Sequence, residues 1–531
     1  MLVETLWSNW RPLADYLIRQ RWFGAKGRQI VDVRLIDHAV LSGIDHPALL
    51  TLLKVEYREG SPQIYLLPLI IRPCDGMDDS IDPGNTFLIL QGSKAAADVR
   101  DATSDTEACL SLLEGIRQQA CWQGAVGTFT CVRTVALESV PADPFQRVKR
   151  IAGEQSNTSV VYDQALILKV IRKLEAGLNP DCEVMEFLTL RTAYRHVPRL
   201  LGYMRYDAPE GTEAGQASGF SATAATLQRF IPNEGDGWND TVQHLNALIE
   251  HGRRAFAMTG KATDARVLVR DFSHDFFRRT RRLGQITAEL HVALASDPTY
   301  PSFRPEPITE ADVAQWRQAM ETQVRDTMDQ FRFSLSNTTA SSLIRKDSLA
   351  ALKAGCLEQL KDLSLLLSTS TMKIRIHGDY HLGQVLKTGE EFVILDFEGE
   401  PARSLRERRA KACPLKDVAG MLRSFSYARH VVLRELRSSG AGSTEADSSL
   451  MGAWEEAVAD FFLNGYREVA NHGTVRFLPE SASSVERVLR VFQLDKAIYE
   501  LRYELNNRPD WIDIPLQGLQ RLVANQLLQP K

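Results

Sequence analysis

The chain lacks the features that mark several protein classes. Its seven cysteines include no Cys-x-x-Cys pair, and neither they nor the eleven histidines show paired metal-ligand spacing. No apolar run reaches the ~18 residues that a membrane span needs. The formal net charge is only -4, which gives no reason to expect a nucleic-acid or membrane partner. The start, from Met1, has neither the basic segment nor the apolar core of a signal peptide. These absences predict a cytoplasmic protein with reduced thiols.

What is present predicts a globular protein of two or three packed units, because 531 residues with 44% hydrophobic content exceed one ordinary domain. Residues 1–135 are rich in strand patterns separated by Gly, Pro and Asp turns. Residues 136–232 carry further strands, with Ser159 to Lys173 as one of them and a helix from Pro180. Residues 233–531 are mainly helical, with a hairpin near residues 384–395. A β-rich part followed by a helical part is the order of a bilobal, protein-kinase-like α+β fold.

The most informative stretch runs from His377 to Gln384. Asp379 follows a strand and is suited to accept the proton of an attacking hydroxyl. Gln384 lies five residues after Asp379, and Asp396 lies seventeen residues after it, across the hairpin. Protein kinases use an Asp and an Asn five apart, followed by a metal-binding Asp, for phosphoryl transfer. The spacing therefore predicts a base at Asp379 and a magnesium site formed by Gln384 and Asp396.

A single charge in an apolar strand marks a second element of such a site. Lys169 lies within Ala165 to Ile171, and burying its ammonium is costly unless it is paired. Glu183, in the first turn of the next helix, is the predicted partner for anchoring nucleotide phosphates, and Glu186 competes with it. The alternative is that Lys169 extends from an edge strand to solvent.

The segment Gly153 to Ser159 lies where a kinase places its phosphate loop, but it lacks the Gly-x-Gly-x-x-Gly pattern. Backbone amides, with the side chains of Ser156, Asn157 and Thr158, are predicted to cap a phosphate. A plain hairpin turn is the alternative. Just after Asp396, Glu398 is a further candidate metal ligand, with a simple loop charge as the alternative.

Taken together, ordered motifs along nearly the whole chain resemble those of the bacterial maltokinases, a branch of the aminoglycoside-phosphotransferase-like kinases. They include Gln20 to Arg28, Pro232 to Trp238 and Thr287 to His291. They also include the stretches around Asp379 and Asp396 and the block from Tyr503 to Trp511. One departure is Ser426, where the family pattern suggests an aspartate.

The resemblance implies an amino-terminal cap subdomain over residues 1–135, a nucleotide-binding intermediate subdomain over 136–232 and a helical lobe over 233–531. It implies a reaction of ATP, with Mg²⁺, and maltose that gives maltose 1-phosphate and ADP for α-glucan synthesis. Association or fusion with trehalose synthase is implied as well. Adenine would bind at the strand that contains Gln228 and Phe230. The sugar candidates beside the base are His381, Tyr499, Tyr503, Glu504 and Arg508.

Two other readings fit the same residues. The first is another small-molecule kinase of this fold, acting on glucosamine or an aminoglycoside, for which Glu504, Asp510 and Asp513 would supply carboxylates to a cationic substrate. The second is a catalytically inactive kinase fold that serves as a scaffold. The presence of Lys169 and Asp379 argues against the second.

Overall fold

A computed structural model describes residues 10–74, 86–91, 96–141, 145–151, 156–214, 219–259, 264–337, 346–367, 371–438, 442–473 and 475–527. The chain forms two compact units. Unit 1 comprises residues 1–191 and 198–232, and unit 2 comprises residues 192–197 and 233–531. No helix within the described ranges is both long enough and apolar enough to cross a membrane.

Unit 1 contains two antiparallel sheets. In the first sheet the strands are hydrogen-bonded in the order β1-β2-β3-β5-β4, and β11 pairs with β3. In the second sheet the order is β6-β7-β12-β13-β10-β9-β8. The strands are β1 Ile30–Val40, β2 Ala48–Tyr57, β3 Gln63–Cys74, β4 Thr86–Gln91, β5 Ala96–Asp101, β6 Cys121–Gln123, β7 Thr128–Arg133, β8 Val148–Arg150, β9 Asn157–Tyr162, β10 Leu166–Ile171, β11 Lys173–Leu174, β12 Leu200–Ala208 and β13 Phe220–Arg229; the helices are α1 Arg11–Arg19, α2 Thr106–Gln118 and α3 Pro180–Arg191.

One apolar core joins the two sheets of unit 1. It includes side chains of the first sheet, such as Leu50 and Leu66, and side chains of the second sheet, such as Leu168 and Leu227. Strands β6 and β7 precede residue 135 yet pair within the second sheet, since β7 is hydrogen-bonded to β12. The predicted subdomain boundary at residue 135 thus lies within a part of unit 1 whose two sheets share one apolar core.

One predicted strand of unit 1 is divided in the structure. The sequence pattern indicates a single strand from Ser159 to Lys173, whereas the chain turns back at Asp163 and Gln164 and forms β9 and β10 as a pair. Both turn residues have positive φ, 47° and 55°, which Asp tolerates better than most residues do. Because the residues on each side of this short turn are apolar, the sequence pattern did not indicate that the chain reverses direction here.

Unit 2 is mainly helical, as predicted. Its helices are α4 Gly237–Thr259, α5 Ala265–Phe272, α6 His274–Leu294, α7 Glu310–Asn337, α8 Lys346–Gln359, α9 Leu405–Arg408, α10 Leu415–Ser438, α11 Glu445–Ala470, α12 Ala482–Asn507 and α13 Asp513–Leu527. Short strands β14 Glu306–Pro307 and β15 Met372–Lys373 pair with each other, as do β16 Val385–Thr388 and β17 Glu391–Ile394. The α+β class with a helical carboxy-terminal part is confirmed.

The helices of unit 2 make one unusually close approach, between α6 and α11. A Cβ atom on Gly284 would lie 2.1 Å from the carbonyl oxygen of Phe462, and one on Gly465 would lie 1.9 Å from that of Arg281. Only glycine permits such backbone contact. The crossing therefore fixes these two helices against each other.

The hairpin β16–β17 sets the position of the predicted metal residues. Val385 pairs with Ile394, so the residues just outside this pair, Gln384 and Asp396, leave the hairpin at the same end. A strand–turn–strand link brings both side chains together at short sequence separation, as predicted.

Candidate active site

The loop that carries Asp379 is held by a buried carboxylate of α10. Asp417 is 2% exposed and accepts hydrogen bonds from the backbone amides of His377 and Gly378, at 2.8 and 2.9 Å. The ring Nε2 of His291 lies 3.1 Å from the same carboxylate. Burial raises the pKa of Asp417, but these donors bring the net pKa below its ordinary value. An anionic Asp417 thus fixes the backbone immediately before the predicted base.

We expect Asp417→Asn to lower the free energy of unfolding by about 2 kcal/mol, because a buried backbone donor loses its acceptor. The maximal rate should fall as well, since the loop is released. Urea unfolding followed by circular dichroism measures the first effect. Asp362→Asn is the control, because the Asp362–Arg487 pair is partly exposed and should contribute no more than ~1 kcal/mol. Equal losses in the two variants would contradict the anchoring role.

Asp379 is paired with a lysine that the sequence reasoning did not single out. Lys496 of α12 lies 2.7 Å from Asp379 Oδ1, and the two side chains are 15% and 18% exposed. Burial raises the pKa of Asp379, but the Lys496 ammonium outweighs it and lowers that pKa to about 2. Burial lowers the pKa of Lys496, but its attraction to Asp379 raises it above the ordinary value. The pair is therefore an ion pair throughout the neutral pH range.

The predicted metal residues lie side by side. Gln384 Nε2 is 3.1 Å from Asp396 Oδ2, and Asp396 has a φ of 64°, a region that few non-glycine residues adopt and that is enriched at functional sites. A carboxylate and an amide are the hard oxygen donors that Mg²⁺ prefers, and Mg²⁺ keeps several waters. The side chains present thus fit the ion. Glu398 is partly exposed, and its carbonyl accepts a hydrogen bond from Arg408.

The two loops are coupled through His377. Its Nε2 lies 2.8 Å from the carbonyl oxygen of Leu395, and its ring packs against Phe397 with centroids 4.9 Å apart. The buried His377 side chain thus connects the loop of Asp379 with Leu395 and Phe397, the residues on both sides of Asp396. The spacing between predicted base and predicted metal ligands is fixed by this contact as well as by the hairpin.

Two of the predicted sugar residues lie next to the ion pair. The Asp379 charge acts on both His381 and Tyr499, and the Lys496 ammonium lies 4.7 Å from the Tyr499 ring centroid. Burial lowers the pKa of His381 to about 4, so its imidazole is neutral and can hydrogen-bond a hydroxyl. These two side chains stay candidates for acceptor binding.

The other three sugar candidates form a cluster at the end of α12. Glu504 is 2% exposed, and its carboxylate accepts hydrogen bonds from Tyr427 at 2.7 Å and from Arg508 at 2.6 and 2.9 Å. The Arg508 guanidinium lies 5.7 Å from the ring centroid of Tyr503, which is 43% exposed. Glu504 thus binds the protein's own groups, whereas Tyr503 presents its ring to solvent.

In unit 1, Lys169 finds a carboxylate in the first turn of α3. Its Nζ lies 4.0 Å from Asp181 Oδ2, and the same Asp181 oxygen accepts a hydrogen bond from Gln228 Nε2 at 3.2 Å. Glu183, two residues on, is also buried. The carboxylate at ion-pair distance from the strand lysine is thus Asp181, whereas the prediction named Glu183. The pairing with Glu183 and the nucleotide contact of Gln228 stay predictions.

The predicted phosphate segment is only partly described, since Gly153 to Gln155 lie outside the described residues. Ser156 is exposed, whereas Asn157 and Thr158 are buried and belong to β9 rather than to a loop. The Thr158 hydroxyl accepts a hydrogen bond from buried Arg172 at 2.8 Å. The backbone amide of Phe230 donates to the carbonyl of Ala165 at 2.9 Å. An adenine contact at Phe230 would therefore use its carbonyl group.

Three residues of this arrangement were not predicted as site residues, namely Lys496, Asp417 and Asp181. Lys496 lies one turn before Tyr499, and its neighbours Asp495 and Glu500 are charged as well, so the local sequence gave no signal that singled it out. Asp417 supplies a buried carboxylate to the loop from a position nine residues before Ser426 on the same helix. Ser424 contributes too, since its hydroxyl accepts a hydrogen bond from the Leu382 amide at 3.1 Å.

Residues 16–105 match the model of the maltokinase N-terminal cap domain. A solved glucosamine kinase in complex with glucosamine, ADP and inorganic phosphate has a similar structure, with a TM-score of 0.61 and 19% identity over 98% of this chain and 100% of that one. The chain has a kinase fold, and its residues 16–105 are similar to the maltokinase cap. A glucosamine kinase solved in a crystal form designated B gives a TM-score of 0.62, with 20% identity over 94% of this chain and 96% of that one.

Curated relatives agree with this assignment. A glucosamine kinase of Streptacidiphilus jiangxiensis is 24% identical over 388 residues, which is 73% of this chain and 76% of that protein. A glucosamine kinase of Mycolicibacterium smegmatis is 24% identical over 380 residues, which is 70% of this chain and 79% of that protein. The resemblance to a maltokinase-like kinase is confirmed, and a kinase enzyme is supported.

Proposed function

We propose that the protein is a sugar kinase that transfers the γ-phosphoryl group of ATP to the anomeric hydroxyl of maltose, giving maltose 1-phosphate and ADP. The cap match over residues 16–105 supports a maltokinase-like enzyme. The charge balance around Asp379 carries the choice of a neutral acceptor. Assignment to α-glucan synthesis and association with trehalose synthase stay predictions.

Four carboxylates near the predicted acceptor site are already paired with cations of the protein, whereas Asp510 is exposed and lies outside these pairs. Asp379 pairs with Lys496 at 2.7 Å and Glu504 pairs with Arg508 at 2.6 Å. On the same helix Glu500 pairs with Arg423 at 2.6 Å. Asp513, which a cationic substrate would have used, pairs with Arg434 at 2.7 Å.

A cationic sugar would bring its ammonium beside Lys496 without an uncompensated carboxylate in these pairs to receive it. The ammonium of the sugar and the ammonium of Lys496 carry like charges, so they repel each other when they lie side by side. A neutral disaccharide requires hydrogen-bonding groups and aromatic faces instead, which His381, Tyr499 and Tyr503 supply. The electrostatics thus favour maltose over an aminosugar.

In this proposal each residue has a defined task. Asp379 accepts the proton of the sugar hydroxyl, and Lys496 orients its carboxylate and keeps it anionic. Gln384 and Asp396 would hold Mg²⁺, and Lys169, oriented by Asp181, would hold the nucleotide phosphates. Bound Mg²⁺ supplies neutralisation of the charge that develops on the phosphoryl oxygens.

Phosphorylation of glucosamine is the second candidate. The observation in its favour is that both curated relatives described above, which align with 73% and 70% of the chain, are glucosamine kinases. Identity of 24% leaves the acceptor residues free to differ. The paired carboxylates described above argue against it.

In the presence of Mg²⁺ and ATP, we expect kcat/KM for ADP formation to be at least ~100-fold higher with maltose than with glucosamine. This ratio corresponds to about 2.7 kcal/mol of discrimination between the two acceptors. A coupled assay over maltose, glucose, glucosamine and kanamycin measures it, and phosphorus NMR identifies the anomeric phosphate. A preference for glucosamine would overturn the maltose assignment but leave the kinase assignment intact. No turnover with any acceptor would favour the inactive scaffold.

A further inference from the structure

Unit 2 contains a cavity of about 460 Å³ where α6 meets the carboxy-terminal end of α11. Its lining includes Phe461, Asn464 and Arg467 of α11, with Asn471 and His472 just after that helix. None of its lining residues belongs to the loops of Asp379 and Asp396 or to α12. The proposed reaction therefore leaves this cavity without a function.

The wall of this cavity is preformed. The α6–α11 crossing at Gly465 brings the two backbones into contact, as described above. The Phe461 ring stacks on Phe277 of α6 with centroids 4.8 Å apart and planes 9° apart. Although Phe461 is 39% exposed, its ring is thus fixed in orientation. A rigid aromatic surface beside polar side chains is a common feature of small-molecule sites.

The charges in the lining are unequal. Arg281 and Glu468 form a pair, with Arg281 Nε donating to the carboxylate at 2.9 Å. Gln285 Nε2 donates to the other carboxylate oxygen at 2.9 Å. These contacts neutralise Arg281 and leave Arg467, which is partly buried and whose guanidinium has no hydrogen bond or ion pair to any residue in the described ranges. One guanidinium therefore remains available to a ligand.

We propose that this cavity is a binding site for a phosphorylated sugar, separate from the predicted catalytic site. The planar guanidinium of Arg467 matches phosphate oxygens bidentately. Asn464 and Asn471 offer amides that both donate to and accept from hydroxyls. The Phe461 ring packs against the apolar face of a pyranose. The volume of the cavity falls within the range of small-molecule sites, ~300–1,000 Å³.

Hydrogen–deuterium exchange of the full chain tests this site locally, without dependence on kinase activity. Glucose 6-phosphate should slow exchange saturably in peptides that cover residues 461–473. Inorganic phosphate should act at least ~10-fold more weakly, because it lacks the contacts to Phe461 and the amides, and glucose should give no protection at the same concentrations. Loss of one charge-assisted bidentate contact predicts at least ~10-fold weaker binding in Arg467→Ala.

Two further variants serve as controls. Arg467→Lys keeps the charge but loses the planar fork, so binding should weaken while the fold is retained. Arg476→Ala removes an exposed arginine that pairs with Glu480, and binding should be unchanged. Equal affinity for inorganic phosphate and glucose 6-phosphate would overturn the proposal, because it indicates an anion site alone. Absent protection, or protection that survives Arg467→Ala, would overturn it too.

Discussion

Asp379→Asn should reduce kcat for ATP-dependent maltose phosphorylation by about 10²–10⁴-fold, the range for loss of a general base. Asparagine preserves the size of the side chain but accepts no proton. Nucleotide binding should be nearly unchanged, because the predicted phosphate anchor, Lys169, belongs to unit 1. Turnover measures the first effect, and titration calorimetry with a nonhydrolysable ATP analogue measures the second.

The substitution also breaks the ion pair with Lys496, so a fold control is required. Asp447→Asn likewise weakens a partly buried pair, the one with Arg253 at 2.8 Å, without touching the predicted site. It should lower the melting temperature but leave kcat within about twofold of the original protein. An Asp379→Asn enzyme that retained a tenth of the original kcat would show that another group accepts the proton.

The helical class of unit 2 was predictable because its helical stretches are long. One of them is α12, which spans Ala482–Asn507. The helix α5 has only eight residues, and so short an element is difficult to distinguish from a loop by sequence pattern alone. In unit 1, β6 and β7 were not assigned to the second sheet, because strand pairing is a long-range property that local sequence does not encode.

The candidate site was predictable where chemistry depends on local spacing. Asp379, Gln384 and Asp396 share one loop and one hairpin, so their separation along the chain fixes their proximity. Lys496 lies 117 residues from Asp379 in sequence, and only tertiary packing brings them together. Asp417 escaped notice for the same reason, since its partners are backbone amides that carry no sequence signature.

Lys496→Met should combine a loss of stability with a shift in the pH dependence of the reaction. The methionine fills most of the lysine's volume but leaves the Asp379 carboxylate largely buried and without its cation. Breaking such a pair costs about 3 kcal/mol at neutral pH, which denaturant unfolding measures. Lys496→Arg keeps the charge and should recover most of this stability.

The pH dependence has a defined sign. In the original protein the pKa of Asp379 is depressed to about 2, so the pair stabilises the fold above the ordinary Asp range and is lost as the pH falls towards 2. Without Lys496, burial raises that pKa, so the acid limb of kcat/KM should move to higher pH. The difference in unfolding free energy between the two proteins should shrink as the pH falls.

Lys416→Met is the matched control, because Lys416 lies 3.8 Å from Glu400 in the same charge network and should leave the acid limb in place. An acid limb that stays fixed in Lys496→Met would show that Asp379 does not control the rate.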